Sequence, residues 1–175
     1  MGTGFKSVPP KRGISMVTRD ELRKNIILEY LTDDMLDELS AITIVIKAKK
    51  GEVVYREGSP AQNVYMLKSG KILLEQKISN TIAVTVNSID PGESFGWAFL
   101  LDRGANSLTA TCCEDSEIYV INREVVRNLM DEDHSLGYMM MKQLSTVLKR
   151  RLDQRTTQFL KSVKSHPDIT ELEEC

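Results

Sequence analysis

Between Asp90 and Ala110 the chain reads Asp-Pro-Gly-Glu-Ser-Phe-Gly-Trp-Ala-Phe-Leu-Leu-Asp-Arg-Gly-Ala-Asn-Ser-Leu-Thr-Ala, and this stretch breaks the β-like pattern on both sides of it. The chemistry it could do is anion binding through the backbone. Pro91-Gly92 is a turn pair, and Gly96 permits close backbone approach. Trp97 to Leu101 is an apolar run too short for a free helix and long enough for one docked turn. Such a turn, preceded by a glycine, aims N–H groups at one point, so it can hold an anion without needing any one side chain.

Phe95-Gly96, the apolar turn and the small-residue strand after it resemble the phosphate-binding cassette of the cyclic nucleotide-binding domain, the family that includes the catabolite activator protein. The resemblance implies Phe-Gly-Glu, a short apolar helix and then Pro-Arg-Ala-Ala, with Glu on the ribose 2′-hydroxyl and Arg on the cyclic phosphate. Here Trp97 stands in place of that Glu and Ala105-Asn106 in place of Pro-Arg. The candidate ligand residues are therefore Phe95, Gly96, Trp97, Ala98, Phe99, Asn106 and Ser107, with Arg103 as a substitute cation if its loop turns inward. Two readings stay open: a working small-molecule site, or a degenerate one kept for structure.

Other reactive residues offer less. The two histidines, His134 and His166, fall outside the β region, so a cupin-like metal site has no imidazole to use. The adjacent Cys112 and Cys113 face opposite sides of one strand, Cys175 is the last residue, and free thiols are expected. No nucleophile elbow, Walker loop or zinc spacing occurs, and the chain is read as regulatory, not an enzyme, with no cofactor beyond a cyclic nucleotide or other small anion. Asp131-Glu132-Asp133-His134 is better explained as a helix start than as a metal site, and Met139-Met140-Met141 as core or dimer contact. Lys149-Arg150-Arg151 with Arg155 spreads around more than one helical face, which favours a solvated surface over a nucleic-acid site.

The elements that must position the cassette follow from periodicity. Across 175 residues with a formal net charge of −2, composition is that of an ordinary globular domain, without global attraction to nucleic acid or an anionic membrane. Residues 1–17 read as a flexible, mildly basic tail. Thr18-Arg19-Asp20-Glu21 is a capping box opening a helix with Leu22, Ile26, Ile27 and Tyr30 on one face, and Thr32 caps a second helix burying Leu36 and Leu39. From about 42 to 121, short β-branched runs alternate with turns, including a hairpin at Ile78 to Ile82, for roughly eight strands. Gly51, Gly58 and Gly70 mark strand ends that need positive φ. Asn122 caps a hinge helix, and a long helix runs to about Lys164, before His166-Pro167 and an acidic tail over 165–175.

The fold expected is mainly β with flanking helices: an antiparallel double-stranded β-roll, jelly-roll-like, with short N-terminal helices and a long C-terminal helix, spanning 18–164. Met141, Leu144, Leu148, Leu152 and Phe159 form an apolar stripe longer than one roll covers, which predicts a homodimer through a parallel helix pair. The function expected is small-molecule sensing with poor selectivity for cyclic AMP. The alternatives are a ligand-free dimerisation module that meets a regulatory protein partner, and a true cyclic nucleotide binder using Arg103 or backbone donors. A cytoplasmic location, no membrane span and no direct DNA contact complete the expectations, the last because the related regulators carry a helix-turn-helix after the long helix and only a short tail follows here.

Overall fold

Thr18 fixes the start of the fold. In the computed structural model, which describes residues 17–79, 82–100 and 104–164 and only the backbone at 99 and 100, its hydroxyl accepts from Glu21 N at 3.3 Å. Thr18 N in turn donates to Glu21 Oε2 at 3.0 Å, completing the predicted capping box on α1 (Arg19–Leu22). The helix then stops earlier than its periodicity suggests. Asn25 Oδ1 accepts from Ile27 N at 3.1 Å and Ile26 N donates to Gly92 O at 3.0 Å, so these amides are lost to a helical ladder. The chain turns, burying Leu22, Ile27, Leu28 and Leu31, and Tyr30 is exposed instead of sharing the inner face. Thr32 caps α2 (Asp33–Ile42), which buries Leu36 and Leu39 as expected.

Eight strands follow: β1 (Ile44–Ala48), β2 (Val53–Tyr55), β3 (Asn63–Ser69), β4 (Ile72–Lys77), β5 (Ala83–Ile89), β6 (Ser94–Phe95), β7 (Thr109–Cys112) and β8 (Ser116–Asn122). They form two four-stranded sheets, ordered β1-β8-β3-β6 and β2-β7-β4-β5, with every pairing antiparallel. This is the predicted double-sheet roll. Gly51, Gly58 and Gly70 all take positive φ, and Gly70 could be nothing else, since a Cβ there would lie 2.6 Å from Asp115 O. The β4–β5 hairpin closes through Ile78 N to Ile82 O, while Asn80 and Thr81 lie outside the described residues.

The strand pleat sorts side chains into two cores. On β3 and β8, Tyr65, Leu67, Ile118 and Val120 point into the roll, while Val64, Met66, Tyr119 and Ile121 point out onto the helices. Both faces are buried, which is why these strands read as continuous apolar runs. Each large aliphatic residue so buried contributes about 1.5–3 kcal/mol. Cys112 lies in the inner core and Cys113 is half-buried; both are free thiols.

Asn122 Oδ1 accepts from Glu124 N and Val125 N to cap α3 (Arg123–Glu132), and Asp133 Oδ1 accepts from Ser135 N and Leu136 N to start α4 (His134–Lys164). These are the predicted caps. Among the described residues no helix is long and apolar enough to cross a membrane. The terminal tails, with His166 and Cys175, lie outside the described residues.

Candidate ligand site

β6 is the free edge of its sheet. Leu67 N donates to Glu93 O and Gly92 N to Leu67 O, both at 2.9 Å, so in the alternating antiparallel ladder the Ser94 carbonyl faces away from β3. It is not left open. Arg151 of α4 donates from Nη2 to Ser94 O at 3.0 Å, and Ser94 Oγ donates to Asn25 Oδ1 at 2.8 Å. Two residues of strand thereby hold both the N-terminal turn and the long helix.

The chain then turns at Gly96, with φ +79°. A Cβ at this position would meet Tyr65 Cδ2 at 2.8 Å and Asn63 O at 3.2 Å, so the backbone lies against the Tyr65 ring with no room for a side chain. A 3-10 turn, Trp97–Leu100, follows and touches α3 and β3. The predicted docked turn is therefore present. Trp97 is half-buried and packs with Ala98 against the helix-side core, not the inner one. It neither lines nor fills the interior of the roll.

Phe95 does point inward, fully buried, with its ring 5.2 Å from that of Tyr65 and inclined by 19°. Tyr55 completes the cluster, 5.4 Å from Tyr65 and 6.0 Å from Phe95 between ring centres. Burial pushes the Tyr55 phenol well above its ordinary value, the nearby Tyr65 adding to the effect, while the Arg151 charge and the Gly96 N–H aimed at its oxygen pull the other way. Burial likewise raises Tyr65.

Asn106 stands elsewhere. It is 5% exposed, its Nδ2 donates to Ser59 Oγ at 3.1 Å, its N–H to Ser59 O at 2.9 Å, and its carbonyl accepts from Gly58 N at 2.7 Å. The residue in the family's arginine position is thus tied into the Gly58 to Pro60 turn. Ser107 is exposed; Arg103 and the Phe99 side chain lie outside the described residues. Among the described residues no group of three or more His, Cys, Asp or Glu gathers as a metal site.

Helix α4 carries two apolar stripes where one was expected. Leu136, Met140, Leu144 and Val147 face the domain, whereas Met141, Leu148, Leu152 and Phe159 are exposed. Leu144, predicted in the dimer stripe, is 3% exposed and belongs to the chain's own core. The inner spacing of three and four leads on to Arg151, which is why this residue of the basic cluster turns inward. Arg150 beside it pairs with Glu93 at 2.8 Å. Sequence reasoning read Arg151 as part of a solvated basic cluster and did not single out Tyr55; the inward stripe was the signal for the first, and nothing local marked the second.

Comparison with known proteins agrees with this architecture. The cyclic nucleotide-binding domain family matches residues 45–133. The chain is 28% identical over 156 residues to the cGMP-dependent protein kinase of Eimeria tenella, covering 87% of this chain and 13% of that one. It is 30% identical over 99 residues to the cyclic AMP receptor protein of Thermus thermophilus, covering 54% of this chain and 46% of that one. It thus spans less than half of either relative. A cyclic nucleotide-binding domain from Methylobacillus flagellatus superposes with a TM-score of 0.74 at 16% identity, over 82% of this chain and 83% of that one. The antiparallel roll, the glycine-led turn after its edge strand and the family match over its strands together make this chain a member of the cyclic nucleotide-binding domain family.

Proposed function

We propose that the domain is a regulatory sensor of a small anionic ligand, a nucleotide or a relative of one, and that it does not select cyclic AMP. The observation that carries this is the left-handed turn at Gly96, built against Tyr65 with no side-chain room, feeding a 3-10 turn that touches the hinge helix α3. A ligand held there would act on α3 directly and, through its packing, on α4. Selectivity for cyclic AMP is weakened because Trp97 faces the helices and Asn106 is engaged with Ser59, so neither supplies the charge-assisted bonds of the family's Glu and Arg. Losing both weakens binding by roughly two to four powers of ten. Calorimetry with cyclic AMP, cyclic GMP and inorganic phosphate tests the reading. A low-micromolar dissociation constant for cyclic AMP would overturn the selectivity argument, and silence with all three would overturn the sensor.

A second reading, a protein-interaction module, is favoured by the exposed stripe Met141, Leu148, Leu152 and Phe159 on α4. The occupant we propose for that stripe is a second copy of this chain, in a parallel helix pair. The role is regulatory, not catalytic, and the domain acts in the cytoplasm.

A further inference from the structure

Arg151 is a half-buried guanidinium whose hydrogen bond, among the described residues, goes to one carbonyl, Ser94 O at 3.0 Å. The carboxylate whose charge acts on it, Glu93, is hydrogen-bonded by Arg150 at 2.8 Å, so two guanidinium groups share one counter-charge. A cation drawn partly out of water and left to share one carboxylate is short of counter-charge, which an anion would supply. The Tyr55 hydroxyl, carried on a ring of the inner cluster, lies within electrostatic reach of Arg151 and has the Gly96 N–H as its neighbour. A guanidinium and a phenol hydroxyl are both donors that a phosphate or carboxylate oxygen accepts from.

We propose that Arg151, reaching in from the long helix, supplies the ligand's counter-charge in place of a cassette arginine, with the Tyr55 hydroxyl as companion donor. This rests on the sensor reading above. It has a mechanical corollary: an anion that draws Arg151 off the Ser94 carbonyl trades a contact of the helix with the roll for a contact of the helix with the ligand. The cation that recognises the ligand and the element that must respond to it are then one residue.

The test is calorimetric titration of cyclic AMP, cyclic GMP, inorganic phosphate and uncharged adenosine into the unmodified chain and into Arg151→Gln, Arg151→Lys and Arg150→Gln, each first checked for folding by circular dichroism. At least one anionic probe is expected to bind the unmodified chain. Arg151→Gln is expected to weaken that probe by about tenfold or more, the loss of one charge-assisted bond, while any adenosine affinity stays put. Arg151→Lys should retain part of the affinity and Arg150→Gln nearly all of it. Unchanged anion affinity in Arg151→Gln overturns the assignment and leaves the sensor standing. Equal weakening of adenosine and the anions makes Arg151 a structural strut and overturns it too. Failure of every anion to bind the unmodified chain overturns the sensor reading, and the assignment with it.

Discussion

The Asn106 amide donates to the Ser59 hydroxyl across 3.1 Å, and the two backbones are bonded at the same point by Asn106 N to Ser59 O. The position that would hold the phosphate in the family thus fastens two loops to each other. Asn106→Ala is expected to lower stability by about 1–2 kcal/mol, the cost of a buried partner left unpaired, read from urea midpoints at constant slope. It should leave the affinity for any anionic probe within a factor of about two, since the amide is already in use. A selective loss of binding without loss of stability would return Asn106 to the ligand site.

Gly96 and Gly51 separate conformational strain from crowding. Both take positive φ, +79° and +84°, but a Cβ at Gly51 meets nothing within 4 Å. Gly51→Ala is expected to cost about 1 kcal/mol, from the left-handed backbone alone. Gly96→Ala adds the clash with the Tyr65 ring and should cost about 2–4 kcal/mol. Equal losses in thermal or urea melts would show that Tyr65 yields freely.

Acid should unpick the N-terminal turn. The Glu21 carboxyl is lowered to about 2 from 4.5, first by the hydrogen bond from Thr18 N and then by Lys68, whose Nζ lies 2.9 Å away. The unfolded chain therefore takes up the proton at the higher pH. The stability this group adds is complete above about pH 4.5 and is lost as pH falls toward 2. Because the pair is partly solvated, about 1–2 kcal/mol is expected from it. Glu21→Gln should be less stable than the unmodified chain at pH 7 and converge with it near pH 2; parallel curves would refute the link.

The two stripes of α4 make opposite predictions. Leu148→Glu with Leu152→Glu, both exposed, should leave monomer stability within about 0.5 kcal/mol and abolish any dimer seen by sedimentation. Leu144→Ala should cost about 2–5 kcal/mol and leave the association constant of the remaining folded protein unchanged. An unmodified chain that sediments as a monomer at micromolar concentration removes the helix-pair proposal.

Trp97, the only tryptophan, is expected to emit to the blue of its unfolded value, because its ring lies half-buried on the helix-side core. Iodide should quench it several-fold less than in the denatured chain. A ligand should change its emission through movement of α3 and α4, not by stacking on the indole. Quenching equal to that of the denatured chain would place the ring in solvent and defeat this account.

What was legible in the sequence was what local patterns specify. Thr18, Thr32, Asn122 and Asp133 each cap a helix because their short polar side chains reach the first free amides, and the short β-branched runs between turns mark the eight strands. α1 was over-extended because Ile26 N is taken by Gly92 O, a partner far along the chain that no window over 18–30 contains. Trp97 holds its place in the motif, while the direction of its ring after a left-handed glycine is set by what the turn packs on, here the helix-side core. The helical wheel of α4 held both stripes, and joining Leu144 to Leu148 merged a buried face with an exposed one.

Ser94 also says something about time. Its hydroxyl bond to Asn25 closes a separation of 69 residues, and the bond from Arg151 to its carbonyl closes one of 57. Both close long loops, so docking of the N-terminal turn and of the long helix onto β6 is expected late in assembly and is paid for in loop-closure entropy. The reverse order governs opening. If the two-residue strand lets go, both ends of the domain lose a tether in one event, and slow amide exchange at Ile26, Phe95 and the middle of α4 should collapse together, ahead of β8 at the centre of the sheet.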